Sequence, residues 1–105
     1  MEPFAELSAL PLRQIWESAT VRTVDGERLT LGIVELDANA VVPEHRHDHE
    51  QLGIVLRGMQ ALVVDGVPHE VRVGPEGAVV IDVFAPVRQD WGAVEPAAAR
   101  PARWP

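Results

Sequence analysis

Three of the four histidines in this 105-residue chain, His45, His47 and His49, sit at alternate positions in "PEHRHDHEQLGIVLRG". Side chains along a strand alternate between faces, so His45 and His47 share a face about 6.6 Å apart. Two imidazoles so placed can converge on one divalent cation, with bonds of about 2.0–2.1 Å. Gln51 follows four residues later, across the short turn "DHE", and can return an amide oxygen to the same ion. His49 has the parity of the pair and is a spare candidate, expected in the turn and facing solvent or the pocket mouth. The fourth histidine, His69, lies in "VPHEVRV", where alternation groups it with Val67, Val71 and Val73 against Glu70 and Arg72. Two readings stay open on these residues alone. They form the wall of a metal site, or a solvated polar turn plus a core histidine.

The elements that must position these residues have a period of two. "ERLTLGIVEL" (27–36) follows the turn signal "VDGE", with Leu29, Leu31 and Ile33 on one face. "DANA" turns the chain into "VVPEHRH", "QLGIVLRG" makes a second strand and "MQALVV" a third. "DG" and "GPEG" then turn the chain on either side of the "VPHEVRV" strand, ahead of "AVVIDVF" (78–84). Several short strands divided by turns predict an all-β sandwich or barrel. Only residues 4–10 suggest a short helical turn. In "QLGIVLR" both faces are largely apolar: Gln51, Gly53 and Val55 on one, Leu52, Ile54 and Leu56 on the other. A small barrel fills only its inside, so the outer face needs a cover from the N-terminal segment or a second subunit.

Composition narrows the classes. The chain is 47% hydrophobic and 24% charged, which is globular rather than disordered. Its net charge of −7 argues against nucleic acid or an anionic membrane as partner. There is no cysteine, so neither a disulfide framework nor a thiolate metal site is available. The N-terminus lacks the pattern of a signal peptide, and no apolar run approaches the roughly 20 residues of a membrane span. The expected location is cytoplasmic.

The stretch from Pro43 to Gly58 resembles the first motif of the cupin superfamily. That motif has a His-x-His pair, an acidic or amide ligand four or five residues later, and a glycine seven residues beyond it. His45, His47, Gln51 and Gly58 fall in this register, and Asn39 stands where the motif usually begins with glycine. Glutamine as third ligand is similar to a subset of small bacterial cupins, including one of pectin degradation that acts on unsaturated uronates. "VVIDVFAPVRQDW" also resembles the segment that closes those proteins. The second cupin motif fits Gly58, Gly66 and His69, with Val64 in place of its proline. Gly58 then serves both motifs, so about two strands of the usual intermotif hairpin are absent.

The resemblance implies a cupin-like β-barrel or jelly-roll sandwich, reduced in strand number. Residues 1–19 are expected as an N-terminal arm with a dimer contact through "LRQIW", 20–91 as the barrel, and 92–105 as a Pro-rich tail. It implies one divalent metal ion (Mn, Fe, Ni, Zn or Co) held by His45, His47, Gln51 and, as fourth ligand, His69. A small oxygen-rich ligand such as a sugar acid or keto acid would be the substrate of Lewis-acid isomerase or lyase chemistry. The alternatives are an iron-dependent dioxygenase and a non-catalytic binding or dimerisation module. In a hairpin through the "DG" turn, His69 is expected beside residues 62–64 rather than opposite the histidine pair. Arg88 and Asp90 read as a surface ion pair, with Arg88 near the pocket or a subunit contact if the resemblance extends to it.

Overall fold

The computed structural model describes residues 4–45, 49–64 and 69–104. Its strands are β1 (Leu12–Trp16), β2 (Ala19–Asp25), β3 (Thr30–Leu36), β4 (Val41–His45), β5 (Glu50–Val64) and β6 (His69–Ala85). A 3-10 turn (Leu7–Ala9) precedes them and one helical turn, α1 (Gln89–Gly92), follows. None of the described helices is long and apolar enough to cross a membrane. All strand pairs are antiparallel and belong to one sheet, which curls into a half-barrel.

Strand β6 lies at the centre. On one edge its second half pairs with β3, Ile33 opposite Ile81, and its first residues pair with β4, Val42 opposite Val71. β5 takes the whole of the other edge, from Glu50 opposite Ala85 to Val64 opposite His69. β2 and then β1 extend the sheet beyond β3. Strand parity decides what is buried. Ala19, Val21, Val34, Leu36, Ala78, Val80 and Phe84 face inward and meet Val42, Val73 and Trp91 in one core. Branched valines suit this pleated, tightly curved interior.

The structure joins segments that the turn signals separate. "QLGIVLRG" and "MQALVV" run on as β5, and "GPEG" lies inside β6. Register jumps there, because Gly58 pairs with Ala78 while Gln60 pairs with Val73. Gly58 and Gly77 have φ of 80° and 77°, and a Cβ on Gly58 would strike the Gly77 backbone. Two glycines in the left-handed region thus bend the paired strands without ending them. In "DANA", Asn39 has φ of 58°, so asparagine supplies a turn conformation more often given to glycine.

Both ends of the chain pack on the sheet. β1 pairs with β2, and Arg13 also bridges to Pro96. Thr20, Arg22 and Glu35 alternate with the inward residues and so face the outside, yet all three are buried. The C-terminal segment covers them. Arg22 Nη1 donates to Glu35 Oε2 at 2.7 Å, and Arg22 Nη2 donates to the Arg100 carbonyl at 2.7 Å. Arg100 Nη2 lies 3.1 Å from Glu35 Oε1, and the Arg103 backbone N–H donates to Oε2 at 2.9 Å. Further along the same outer face, Phe4, Leu7, Leu10 and Trp104 wall a groove of about 410 Å³ over Leu31 and Ile33.

A buried ion pair broken on one side leaves the other charge uncompensated, at a cost of about 3–5 kcal/mol. Glu35→Ala strands Arg22, which is 2% exposed, and is expected to lose stability on that scale in urea unfolding. Arg103→Ala removes a 41% exposed side chain and is expected to cost no more than about 1 kcal/mol.

Candidate functional site

The inner face of β5 meets the inner face of β6 at Gln51 opposite Phe84, Gly53 opposite Asp82 and Val55 opposite Val80. Asp82 therefore shares the inward row of β6 with Ala78, Val80 and Phe84 and brings a carboxyl group into a largely apolar interior. Its cross-strand neighbours are glycines on both sides, Gly32 on β3 and Gly53 on β5. A Cβ at Gly53 would collide with the Asp82 carboxylate. At Gly32 it would come within 3.1 Å of Val21 and 3.3 Å of the Trp91 ring. Glycine at both positions makes the space in which this acid sits.

Burial pushes the Asp82 carboxyl up from 3.8 to about 6. A hydrogen bond from the Gln51 side chain and the positive charge of Arg88 oppose that rise without cancelling it. An ionised carboxylate only accepts hydrogen bonds, so Gln51 turns its amide N–H toward Asp82. The acceptor end of the same amide is then the part of Gln51 that can serve a cation. Glutamate at this position would set two carboxylates against each other.

Arg88 is nearly buried and holds the end of the barrel. Its guanidinium stacks over the rings of Phe84 at 4.6 Å and Trp91 at 4.1 Å, and those rings meet edge to face at 4.8 Å. Arg88 Nε and Nη2 donate to the two Asp90 oxygens at 3.0 and 2.8 Å, which holds the Asp90 carboxyl below its ordinary value. Its backbone N–H donates to Thr30 Oγ1, whose hydroxyl donates to Asp25 Oδ1. The pair is thus built into the core at its arginine end rather than lying free on the surface. His49 sets its ring edge-on to Phe84, 6.2 Å between centroids, and lines an open cleft with Glu27, Pro86, Val87, Gln89 and Asp90.

Of the residues expected to hold a metal, His45 ends β4 and His69 begins β6, and the two backbones pair directly. His69 also pairs with Val64 on β5. The "DG" turn itself lies outside the described residues, but β5 and β6 pair on either side of it, and β4 on the other edge of β6 brings His45 opposite His69 as well. Gln51 begins the inward row of β5, two positions before the residue opposite Asp82. His47 lies outside the described residues, as does Gly66. No group of three or more His, Asp or Glu side chains is gathered as a metal site among the described residues.

Sequence reading did not single out Asp82. The signal was there: in "VVIDVF" its parity is that of Val80 and Phe84, so a core strand must turn its one charge inward.

Residues 32–82 match the family model described as a cupin domain. An RmlC-like cupin from Shewanella frigidimarina NCIMB 400 superposes with a TM-score of 0.74 at 23% identity, over 86% of this chain and 96% of that one. KdgF from Halomonas sp. gives 0.66 at 23% identity, over 75% and 90%. The polyketide cyclase RemF from Streptomyces resistomycificus gives 0.69 at 20% identity, over 95% and 88%. No curated protein sequence matches the chain. At these identities the structural likeness speaks for the fold, across proteins of differing activity. The family match spans nearly all of β3 to β6, the strands that carry the inward row of Gln51, Gly53 and Asp82, and on both grounds this chain has the fold of a small cupin.

Proposed function

We propose that this cupin-fold chain binds one divalent metal ion and acts on a small oxygen-rich metabolite, such as a sugar acid or keto acid, by isomerase or lyase chemistry. The observation that carries the reading is the register of β4 against β6, which sets His45 opposite His69. His45, His47, His69 and the amide oxygen of Gln51 would hold the ion, an imidazole and oxygen set suited to Mn, Fe, Co, Ni or Zn. When bound, such an ion supplies Lewis acidity to a carboxylate or neighbouring oxygen of the substrate.

The remaining chemistry belongs to the chain. Asp82, with a pKa of about 6, is mostly ionised at neutral pH yet basic enough to take a proton from a hydroxyl or C–H group. Gln51 orients that carboxylate by hydrogen bonding. The Phe84–Arg88–Trp91 stack packs the strand end beside Asp82.

Elemental analysis of the purified protein is expected to find one divalent metal ion per chain. His45→Ala and His47→Ala are each expected to remove it, and His69→Ala to weaken binding while leaving it measurable. Metal at a hundredfold excess over its Kd adds about 2.7 kcal/mol of stability, so the wild-type melting temperature should rise with added metal and that of His47→Ala should not. Unchanged metal content in His47→Ala would overturn the reading. Oxygen consumption by the metal-loaded protein would move it to a dioxygenase.

Asp82 gives a separate expectation for the metal-free protein. Its folded-state pKa lies above the unfolded value of 3.8, so the protonated acid favours the native state. That contribution is complete below the unfolded pKa and is lost as pH rises through about 6. In thermal melts with chelator present, Asp82→Asn should therefore gain on wild type steadily from about pH 4 to about pH 7. Parallel curves over that window would mean the carboxyl is not held in a desolvated place.

A further inference from the structure

Each residue that lines the outer groove is apolar or glycine. Val24, Leu31, Ile33 and Ile81 supply the sheet side, while Leu7 and Leu56 flank them. Two rings of the same groove stay in water, Phe4 at 89% exposure and Trp104 at 40%. At about 410 Å³ the groove has the size of a small-molecule site, and its exposed apolar surface has no cover in the fold. It lies on the opposite face of the sheet from Gln51 and Asp82, so it stands apart from the interior chemistry.

One end of this groove is charged. Ile33 pairs with Ile81, and two positions along, Glu35 pairs with Val79 and Val79 with Arg57. Arg57 therefore belongs to the outward row that follows the groove. Its Nη1 donates at 2.9 Å to the carbonyl of Arg103, the residue before Trp104. Arg22, Arg88, Arg100 and Arg103 each meet a carboxylate. Arg57 is exposed, and no carboxylate pairs with it among the described residues.

We propose that this groove binds a free monocarboxylate with a medium-length hydrocarbon tail, its carboxylate on Arg57. The tail lies along Ile81, Ile33 and Leu31. From Leu31 to the row of Glu35 is four residues of strand, about 13 Å, which sets the length of tail the groove can cover. A hydroxylated tail is disfavoured, because the lining side chains offer its hydroxyls no hydrogen-bond partner. The net charge of −7 turns the chain away from an anionic membrane and leaves the dissolved acid as the source.

Calorimetric titration of the full chain with decanoate, below its micelle concentration and with chelator present, tests the assignment. One decanoate is expected to bind per chain, with affinity rising about two- to fourfold per methylene from octanoate to dodecanoate. Arg57→Gln is expected to weaken decanoate about tenfold while leaving decanol unchanged. Leu7→Glu, on the turn outside the sheet, is expected to abolish decanoate binding with unchanged far-UV circular dichroism. Absence of binding to wild type overturns the proposal, including where a second copy fills the groove instead. So does a response confined to micelles, an affinity independent of tail length, or one that both variants leave intact.

Discussion

One strand holds this molecule together. β6 has both of its edges occupied along nearly its whole length, by β3 and β4 on one side and by β5 on the other. A strand paired on both sides cannot slip by one residue without moving its whole inward row outward. The register of β6 therefore fixes the core through Ala78, Val80 and Phe84, and fixes Asp82 among them. It also fixes which residue of β4 meets His69. The long β5 supplies a partner for each half of β6.

Two buried or partly buried carboxylates show opposite solutions to the same problem. Glu35 is 1% exposed and is met by the guanidinium of Arg22, that of Arg100 and the backbone of Arg103. Hydrogen bonds reach its Oε2, while Oε1 is met by the charges of Arg100 and Arg103 without a hydrogen bond, and the group serves structure. Asp82 has one amide donor and a more distant positive charge, and burial dominates its pKa. A carboxyl group left in that condition stays near the point of exchange at physiological pH, which suits a proton carrier. Gly32 and Gly53 hold this state in place. A side chain at Gly53 would take the place of the Asp82 carboxyl group, and one at Gly32 would crowd Val21 and Trp91.

Much of this was legible in the chain. Period-two alternation gives the strand faces directly, and the spacing of His45, His47, Gln51 and Gly58 marks the family. The continuity of β5 and β6 was not legible. A glycine that bends a strand pair and a glycine that ends one carry the same local signature, as Gly58 and Gly77 illustrate. Arg88 and Asp90 resemble any surface pair until the rings of Phe84 and Trp91 are placed around the arginine. Glu35 was hidden for a different reason. Its partners Arg100 and Arg103 are far along the chain, and no local pattern announces a contact at that range.

That separation also bears on how the chain is made. The Arg22 and Glu35 side chains meet across only 13 positions, but the Arg103 N–H that completes the Glu35 shell comes 68 positions later. At translation rates of about 5–20 residues per second, Arg103 follows Glu35 by several seconds. During that interval β2 and β3 have reason to stay solvated. The native outer face closes only after the arginine-bearing segment has left the ribosome. The outer face of β2 and β3 therefore reaches its native burial only once residues 100–103 are in place against it.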